Sequence, residues 1–227
     1  ELQKIQGLYT EAYQPLGDLL IKQPFDAQPT AYFRDLDIQN ATAHTQFTID
    51  GVTYSRELFV SAPDQVIVLR LTASQKGKLN FSASAQSPHP MSKLVIGKNE
   101  LSMRGKAPAH ADPNYVNYNA KPVYYEDPAR CKGMRFDWRV KVQTTDGKVT
   151  ADTSGISISN ATEAILLVTA ATSFNGFDKC PDSQGRDEKA LVESYLKRAL
   201  GKSITVIRNA HIADYQRFFN RMKIKLG

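Results

Sequence analysis

Four histidines, two cysteines and a few close-set carboxylates are the side chains of this 227-residue sequence best suited to act as ligands, bases or nucleophiles. The histidines are His44, His89, His110 and His211, and no two stand at i,i+2 or i,i+4. Those are the spacings at which a strand or a helix turns two imidazoles toward one metal ion, so no metal site and no cofactor is expected. Cys131 and Cys180 lie outside any C-x-x-C, which argues against zinc. Both flank loops, and the sequence leaves open one disulfide in an oxidising compartment or two free thiols. Asp35 and Asp37 would share one face of a strand. A carboxyl pair working as acid and base on a sugar needs about 5 to 9.5 Å of separation across the ring. Neighbours on one strand approach from a single side, so roles at an edge or in a turn are expected for them. Glu126-Asp127 and Asp187-Glu188 are adjacent, and the second pair suits the first turn of a helix. His211 falls on the apolar side of a helical pattern, where a packing role is expected, whereas His110 lies in a long loop and is the better functional candidate. No G-x-S-x-G, G-x-G-x-x-G or phosphate-loop motif occurs. No catalytic residue is assigned. Asn40, Asn80 and Asn160 open N-x-S/T triplets, which would be glycosylation acceptors only in a secreted eukaryotic protein.

The elements that must position these residues are mostly strands. Residues 1–12 read as the tail of a helix, with Leu2, Ile5 and Leu8 on one face. Strands are expected at 17–22 and 32–38. From Ala43 to Ser61 polar and apolar residues alternate on either side of Asp50-Gly51, which predicts a tight hairpin. Strand patterns continue at 65–74 and 78–85, joined by a Lys76-Gly77 turn, and a smaller pair follows at 94–96 and 101–103. Residues 105–130 carry four prolines and read as a long irregular loop. In 134–142, Met134, Phe136, Trp138, Val140 and Val142 alternate with Arg135, Asp137, Arg139 and Lys141, so one face is expected buried and the other wet or against charge. Strands at 148–152, 155–159 and 163–172 complete the run; the last is almost wholly apolar and is expected to be central, covered on both faces. Two helices follow, at about 187–200 and 203–221. The first has Leu191, Tyr195 and Ala199 in line and stops at Gly201. The second is capped by Ser203, with Ile204, Ile207, His211, Tyr215, Phe218 and Phe219 on its apolar side. A short strand is expected at 223–227. About ten strands with regular turn signals predict a mainly β, antiparallel β-sandwich with C-terminal helices. The sandwich spans 1–185 and the helical segment 186–227, within one structural domain.

Charge and hydropathy exclude some functions. Lys plus Arg is 29 against 23 Asp plus Glu, and the surplus of six lies in residues 186–227. Those cations are scattered around helices with no interleaved aromatic platform, so a solvated or domain-facing surface is expected and nucleic acid is not a partner. The longest apolar run, Ala164–Ala171, contains Thr169 and is far shorter than the roughly 18 residues of a membrane span. No signal peptide is visible, and the opening at Glu1 reads as that of a mature or trimmed segment.

Several segments, in order, carry a resemblance. They are Tyr13-Gln14-Pro15-Leu16-Gly17-Asp18-Leu19, Tyr32-Phe33-Arg34-Asp35-Leu36-Asp37, Tyr54-Ser55-Arg56-Glu57-Leu58-Phe59-Val60-Ser61 with Pro63-Asp64-Gln65-Val66, Gly105-Lys106-Ala107-Pro108, Gly133-Met134-Arg135-Phe136, Thr172-Ser173-Phe174-Asn175-Gly176, and His211-Ile212-Ala213-Asp214-Tyr215-Gln216-Arg217-Phe218-Phe219. Together they resemble the N-terminal β-sandwich domain, of supersandwich type, of glycoside hydrolase family 95, the α-L-fucosidases. The resemblance implies an inverting hydrolysis of α-L-fucosyl linkages in a downstream (α/α)6 barrel, with a Glu as general acid and a water activated by an Asn/Asp pair. None of those segments falls in this chain, which also lacks the family's first strands. The resemblance therefore implies a non-catalytic support domain, with the barrel of the same polypeptide and a fucosylated glycan as its partners. A periplasmic or extracellular bacterial location is implied, where a Cys131–Cys180 disulfide is permissible. Gly17, Gly105 and Gly133 are expected at turns or close approaches, and Tyr54, Phe59, Phe136 and Trp138 in the core. Lys106, His110, Tyr115 and Asn175 are the candidates for a substrate rim. The rival reading is an autonomous carbohydrate-binding module using Tyr115, Tyr118, Tyr124 and Tyr125, or a structural domain without a ligand.

Overall fold

The structure, a computed structural model, describes residues 13–126 and 131–224. Its strands are β1 (Asp18–Lys22), β2 (Thr30–Asp37), β3 (Thr42–Ile49), β4 (Val52–Ser61), β5 (Val66–Ala73), β6 (Leu79–Gln86), β7 (Met91–Val95), β8 (Glu100–Lys106), β9 (His110–Ala111), β10 (Val123–Tyr124), β11 (Arg135–Thr144), β12 (Lys148–Asp152), β13 (Gly155–Ala161) and β14 (Glu163–Thr172). Two helices follow, α1 (Glu188–Leu200) and α2 (Ile204–Phe219). One sheet of eight strands runs in the order β2-β3-β4-β5-β14-β11-β8-β7, a second of four in the order β1-β6-β13-β12, and β9 and β10 make a two-stranded ribbon. The strand pairs are antiparallel. The chain is the mainly β, antiparallel sandwich with C-terminal helices that its alternating patterns predict.

Alternation builds the core. Inward residues of the large sheet, among them Phe47, Tyr54, Phe136, Trp138 and Leu166, meet Leu79, Phe81, Ile156 and Ile158 of the small one. The outer face of the large sheet forms a second core, where Phe59, Val66, Val68 and Leu167 receive Leu196 and Ala199 of α1 and Ile207 of α2. β14 is therefore covered on both sides, as its apolar run requires. The β3–β4 hairpin turns on Asp50 and Gly51, both at positive φ (50° and 74°), as a tight hairpin connection demands. Asp187 caps α1 by accepting the N–H groups of Lys189 and Ala190, and Ser203 caps α2 by accepting that of Val206.

Packing decides what local pattern leaves open and corrects some expectations. Both edges of β5 are taken, by β4 and β14, so the turn after it carries the chain to the other sheet. Of the two settings expected for the charged face of β11, the structure takes the one against charge. α1 packs over β11 and β14, and Asp137 and Arg139 are buried beneath it. Asp137 accepts Ser102 Oγ (2.8 Å) and Arg104 Nε (3.3 Å), while Arg139 faces Glu100 at 3.4 Å and Asp137 and Glu193 at 3.8 Å. Such charges tolerate burial because each has an opposite partner. The buried stripe of α1 is Glu188, Val192, Leu196 and Ala199 rather than Leu191, Tyr195 and Ala199. In α2 only Ile207 and His211 are buried, and Phe218 stays largely exposed. Residues 223 and 224 are not a strand. The helix tail expected at 1–12, the rest of that last strand and Asp127 lie outside the described residues.

The large sheet outreaches the small one. Leu36, Leu58 and Leu69 fall in one cross-strand row with Leu166, and Val60 and Ile67 in the next row with Val168. Leu166 and Val168 are core residues, yet Leu36 is 66% exposed and Val60 57%. An apolar strip of the inner face on β2–β5 is thus left uncovered.

Candidate functional site

The end of the sandwich where β8 finishes, β11 begins and β14 finishes carries the loops singled out from the sequence. Register sets Lys106 opposite Arg135. Ser173, just past β14, donates its N–H to the Arg135 carbonyl and accepts the Arg135 N–H on its hydroxyl, at 2.9 Å each. The glycines there permit close packing: a Cβ on Gly133 would collide with the Ala107 carbonyl, and one on Gly105 with the Phe136 ring and the Pro90 carbonyl. A disulfide joins Cys131 and Cys180, 49 residues apart, and ties the loop before β11 to the loop after β14. Arg135 anchors the second loop, its Nε facing both oxygens of Glu188 (3.2 and 3.3 Å) and its Nη atoms reaching the carbonyls of Pro181, Asp182 and Arg186.

On this frame sit the four rim candidates. Lys106 Nζ pairs with Glu126 at 2.9 Å. Glu126 also meets Lys132, and the two ammonium groups hold its carboxyl below the ordinary range. His110 belongs to the ribbon, in register with Tyr124, whose ring stacks on the imidazole with 4.9 Å between centroids. His110 Nε2 lies 3.0 Å from Asp112 Oδ1, and the other Asp112 oxygen accepts the Asn119 amide at 2.7 Å. The Asn119 hydrogen bond, then that of His110, lowers the Asp112 pKa. An imidazole held by a carboxylate has a fixed orientation. Asn175 serves its own loop, donating to the Gln184 carbonyl (2.8 Å) and accepting Arg186 Nε (3.4 Å). Tyr115 and Tyr118 stand out from the ribbon's connecting loop, 79% and 82% exposed, while Tyr124 and Tyr125 are half-buried. Phe177, across from them in sequence but on the loop after β14, is 99% exposed. These loops therefore carry exposed aromatic rings, Tyr115, Tyr118 and Phe177, and a histidine oriented by a carboxylate.

The other candidates lie elsewhere. Asp37 closes a turn, accepting the N–H groups of Gln39 and Asn40 and the Asn40 side-chain amide, which lowers its pKa. Asp35 instead faces His44 at 3.2 Å on the outer face of the large sheet. His44 is 3.6 Å from Glu57, and Glu57 accepts Arg208 Nε of α2 at 2.8 Å. Asp35, His44, Glu57 and Arg70 oppose one another in register across four strands, forming a ladder of charge. The two aspartates thus do different work and do not flank a ligand together. His211 is buried, stacked on Phe59 at 5.3 Å, with Nε2 directed at the carbonyls of Asn40 and Ala41. That is the packing role its pattern predicts. The link from this ladder to α2 is not legible in the sequence, because Glu57 and Arg208 are 151 residues apart and only the packing of α2 joins them. Among the described residues no group of three or more His, Cys, Asp or Glu is placed to hold a metal ion, and no helix is long and apolar enough to cross a membrane.

Comparison with known proteins agrees with this architecture. Residues 1–176 match the glycosyl hydrolase family 65 N-terminal domain. The chain is 30% identical to alpha-L-fucosidase 2 of Arabidopsis thaliana over 100% of its own length and 28% of that protein. It is 26% identical to a probable alpha-fucosidase A of Aspergillus niger, over 96% of this chain and 26% of that one. The chain thus spans little more than a quarter of the length of these relatives. Among solved structures, "Putative kojibiose phosphorylase from human microbiome" superimposes on 91% of this chain and 28% of its own with a TM-score of 0.57 at 9% identity, a likeness of fold alone. Sandwich, helices and sequence matches together make this chain a member of the glycosyl hydrolase family 65 N-terminal domain family.

Proposed function

We propose that this chain is the non-catalytic N-terminal domain of a family 95 α-L-fucosidase, supporting hydrolysis of terminal α-L-fucosyl linkages by an (α/α)6 barrel downstream in the same polypeptide. The observation that carries the reading is the match to alpha-fucosidases along 96–100% of this chain. The uncovered strip Leu36, Leu58, Val60 and Ile67 supports it, since a contiguous exposed apolar surface of this kind marks a place where another layer packs. In this reading the barrel supplies that layer and the catalytic carboxylates. The rim formed by Lys106, His110, Tyr115 and Asn175 borders a fucosylated glycan held mainly by the barrel. Residues 1–185 form the sandwich and 186–227 lead toward the barrel. A periplasmic or extracellular location goes with this role, and the Cys131–Cys180 disulfide suits an oxidising compartment.

The test is release of L-fucose from 2'-fucosyllactose by this chain and by a polypeptide extended through the downstream region. Release by the extended polypeptide alone is the expected result. Release by this chain would overturn the proposal and make His110 and Asp112 the first residues to replace. The exposure of Tyr115 and Tyr118 favours a second reading, in which the domain itself binds sugar through stacked rings. Retention of the isolated chain on immobilised fucosylated glycan, lost in Tyr115→Ala, would favour it.

A further inference from the structure

Between the edges β1 and β2, the two sheets part around a cavity of about 520 Å³. Small-ligand sites span about 300 to 1,000 Å³. One wall is aromatic: Phe25 meets Phe47 edge-on at 5.6 Å, and Tyr32 stacks on Phe47 at 6.5 Å. Cations line it as well: Lys22 and Arg56, the Arg56 guanidinium lying over the Phe47 ring at 5.5 Å, and no carboxylate among the described residues does. Arg56 reaches it because β4 turns even-numbered residues inward at this end, in register with Thr45 and Arg34. Its neighbour Glu57 faces the other way, toward α2.

The donors of this lining are incompletely used. Arg56 Nη2 donates to Gln23 Oε1, but Arg56 Nε and Gln23 Nε2 are both buried without a hydrogen-bond partner. Arg56 has no carboxylate within ion-pair distance among the described residues, unlike Arg70, Arg104, Arg135, Arg139, Arg208 and Arg217. Burial draws its pKa below the ordinary arginine value, and only Tyr32 pulls the other way. Arg56 Nε and Gln23 Nε2 are closed to solvent, so a ligand in the cavity meets the rest of the guanidinium, which lies over the Phe47 ring at 5.5 Å and has no counter-ion; an anionic ligand supplies one.

We propose that this cavity binds an acidic sugar, a pyranose bearing a carboxylate. Arg56 and Lys22 take the carboxylate, and the faces of Tyr32 and Phe25 pack on the C–H face of the ring. The cationic lining selects against neutral sugars such as fucose. The site is therefore separate from the rim at the other loops, and its failure would leave the fucosidase reading untouched.

The experiment is calorimetric titration of the chain with methyl α-D-galacturonoside, methyl α-D-galactoside and acetate. The uronoside is expected to bind in the millimolar range or tighter, with the other two weaker by about tenfold or more, the worth of one charge-assisted contact. Binding should weaken as salt rises. Arg56→Gln should lose about tenfold in affinity and Arg56→Lys less, because the lysine keeps the charge. Tyr32 is exposed, so Tyr32→Ala keeps the fold and tests the aromatic wall independently of Arg56. Equal binding of the galactoside would overturn the proposal, as would equal binding of acetate. So would no uronoside binding up to about 10 mM.

Discussion

Single residues set the stability of this domain in ways that can be measured. Phe136 is buried in the inter-sheet core and fills the space a Gly105 side chain would need. Phe136→Ala is expected to cost about 3–5 kcal/mol in urea denaturation, as loss of a buried ring does. Gly105→Ala, which forces the same ring aside, should cost about 1–3 kcal/mol. Acid sensitivity is also written in single groups. Asp146 accepts the hydroxyl and N–H of Thr162, which hold its carboxyl below the ordinary 3.8. Asp152 and Asp187 are lowered too, by hydrogen bonds from Ser154 and Ala190 in the first place. A carboxyl whose folded pKa is depressed stabilises the fold above its unfolded pKa, and that stabilisation is lost as pH falls through the folded value. Unfolding free energy should therefore hold above about pH 5 and drop below about pH 4, with a shallower drop in Asp146→Asn. A drop of unchanged steepness in that variant would remove Asp146 from the account. Residues whose roles depend on neighbours in sequence were legible in this way: Asp37 in its turn, Asp187 and Ser203 at helix starts, Gly51 in the hairpin. Arg56 was not, because nothing near it in sequence shows Gln23, 33 residues away, or the cavity they share.

Elements were legible where pattern and packing obey the same rule. Alternation around Asp50-Gly51 predicts β3 and β4, and an apolar run predicts a central β14, because each follows from how many faces are covered. β11 shows the limit. Its charged side reads as wet or against charge, and the choice falls to α1, which lies over it and closes a buried network of paired charges, a contact no local pattern encodes. The buried face of α1 departs from its sequence pattern for the same reason: Glu188 turns inward to meet Arg135, 53 residues earlier, and carries Val192 and Leu196 with it. Two predictions belong at this scale. Ser203→Ala removes the acceptor for the Val206 N–H and should lower stability by about 1 kcal/mol, seen as a shifted denaturation midpoint with an unchanged slope. Reduction of Cys131–Cys180 opens a loop of 49 residues and should cost about 2–4 kcal/mol, with no change in far-ultraviolet circular dichroism below the transition.

At the scale of the whole molecule, the two sheets are unequal. The four-stranded sheet covers the middle of the eight-stranded one and leaves Leu36, Leu58, Val60 and Ile67 facing outward. The isolated chain is expected to self-associate through this strip. Sedimentation velocity should show a concentration-dependent species that Val60→Lys, at an exposed position, returns to monomer. A monomer at all concentrations would mean that the strip is tolerated by water.

The bridge between Cys131 and Cys180 also changes what a cut would do. Phe177 protrudes from the loop after β14 and is an open target for chymotrypsin. Its peptide bond lies inside the covalent circuit that the two sulfurs close. A nick after Phe177 would therefore divide the backbone without freeing α1 and α2. A non-reducing gel would show one band of full mass, and thiol would resolve it into pieces of 177 and 50 residues. The exposed loop can be opened by a protease while both helices stay tethered to the sandwich.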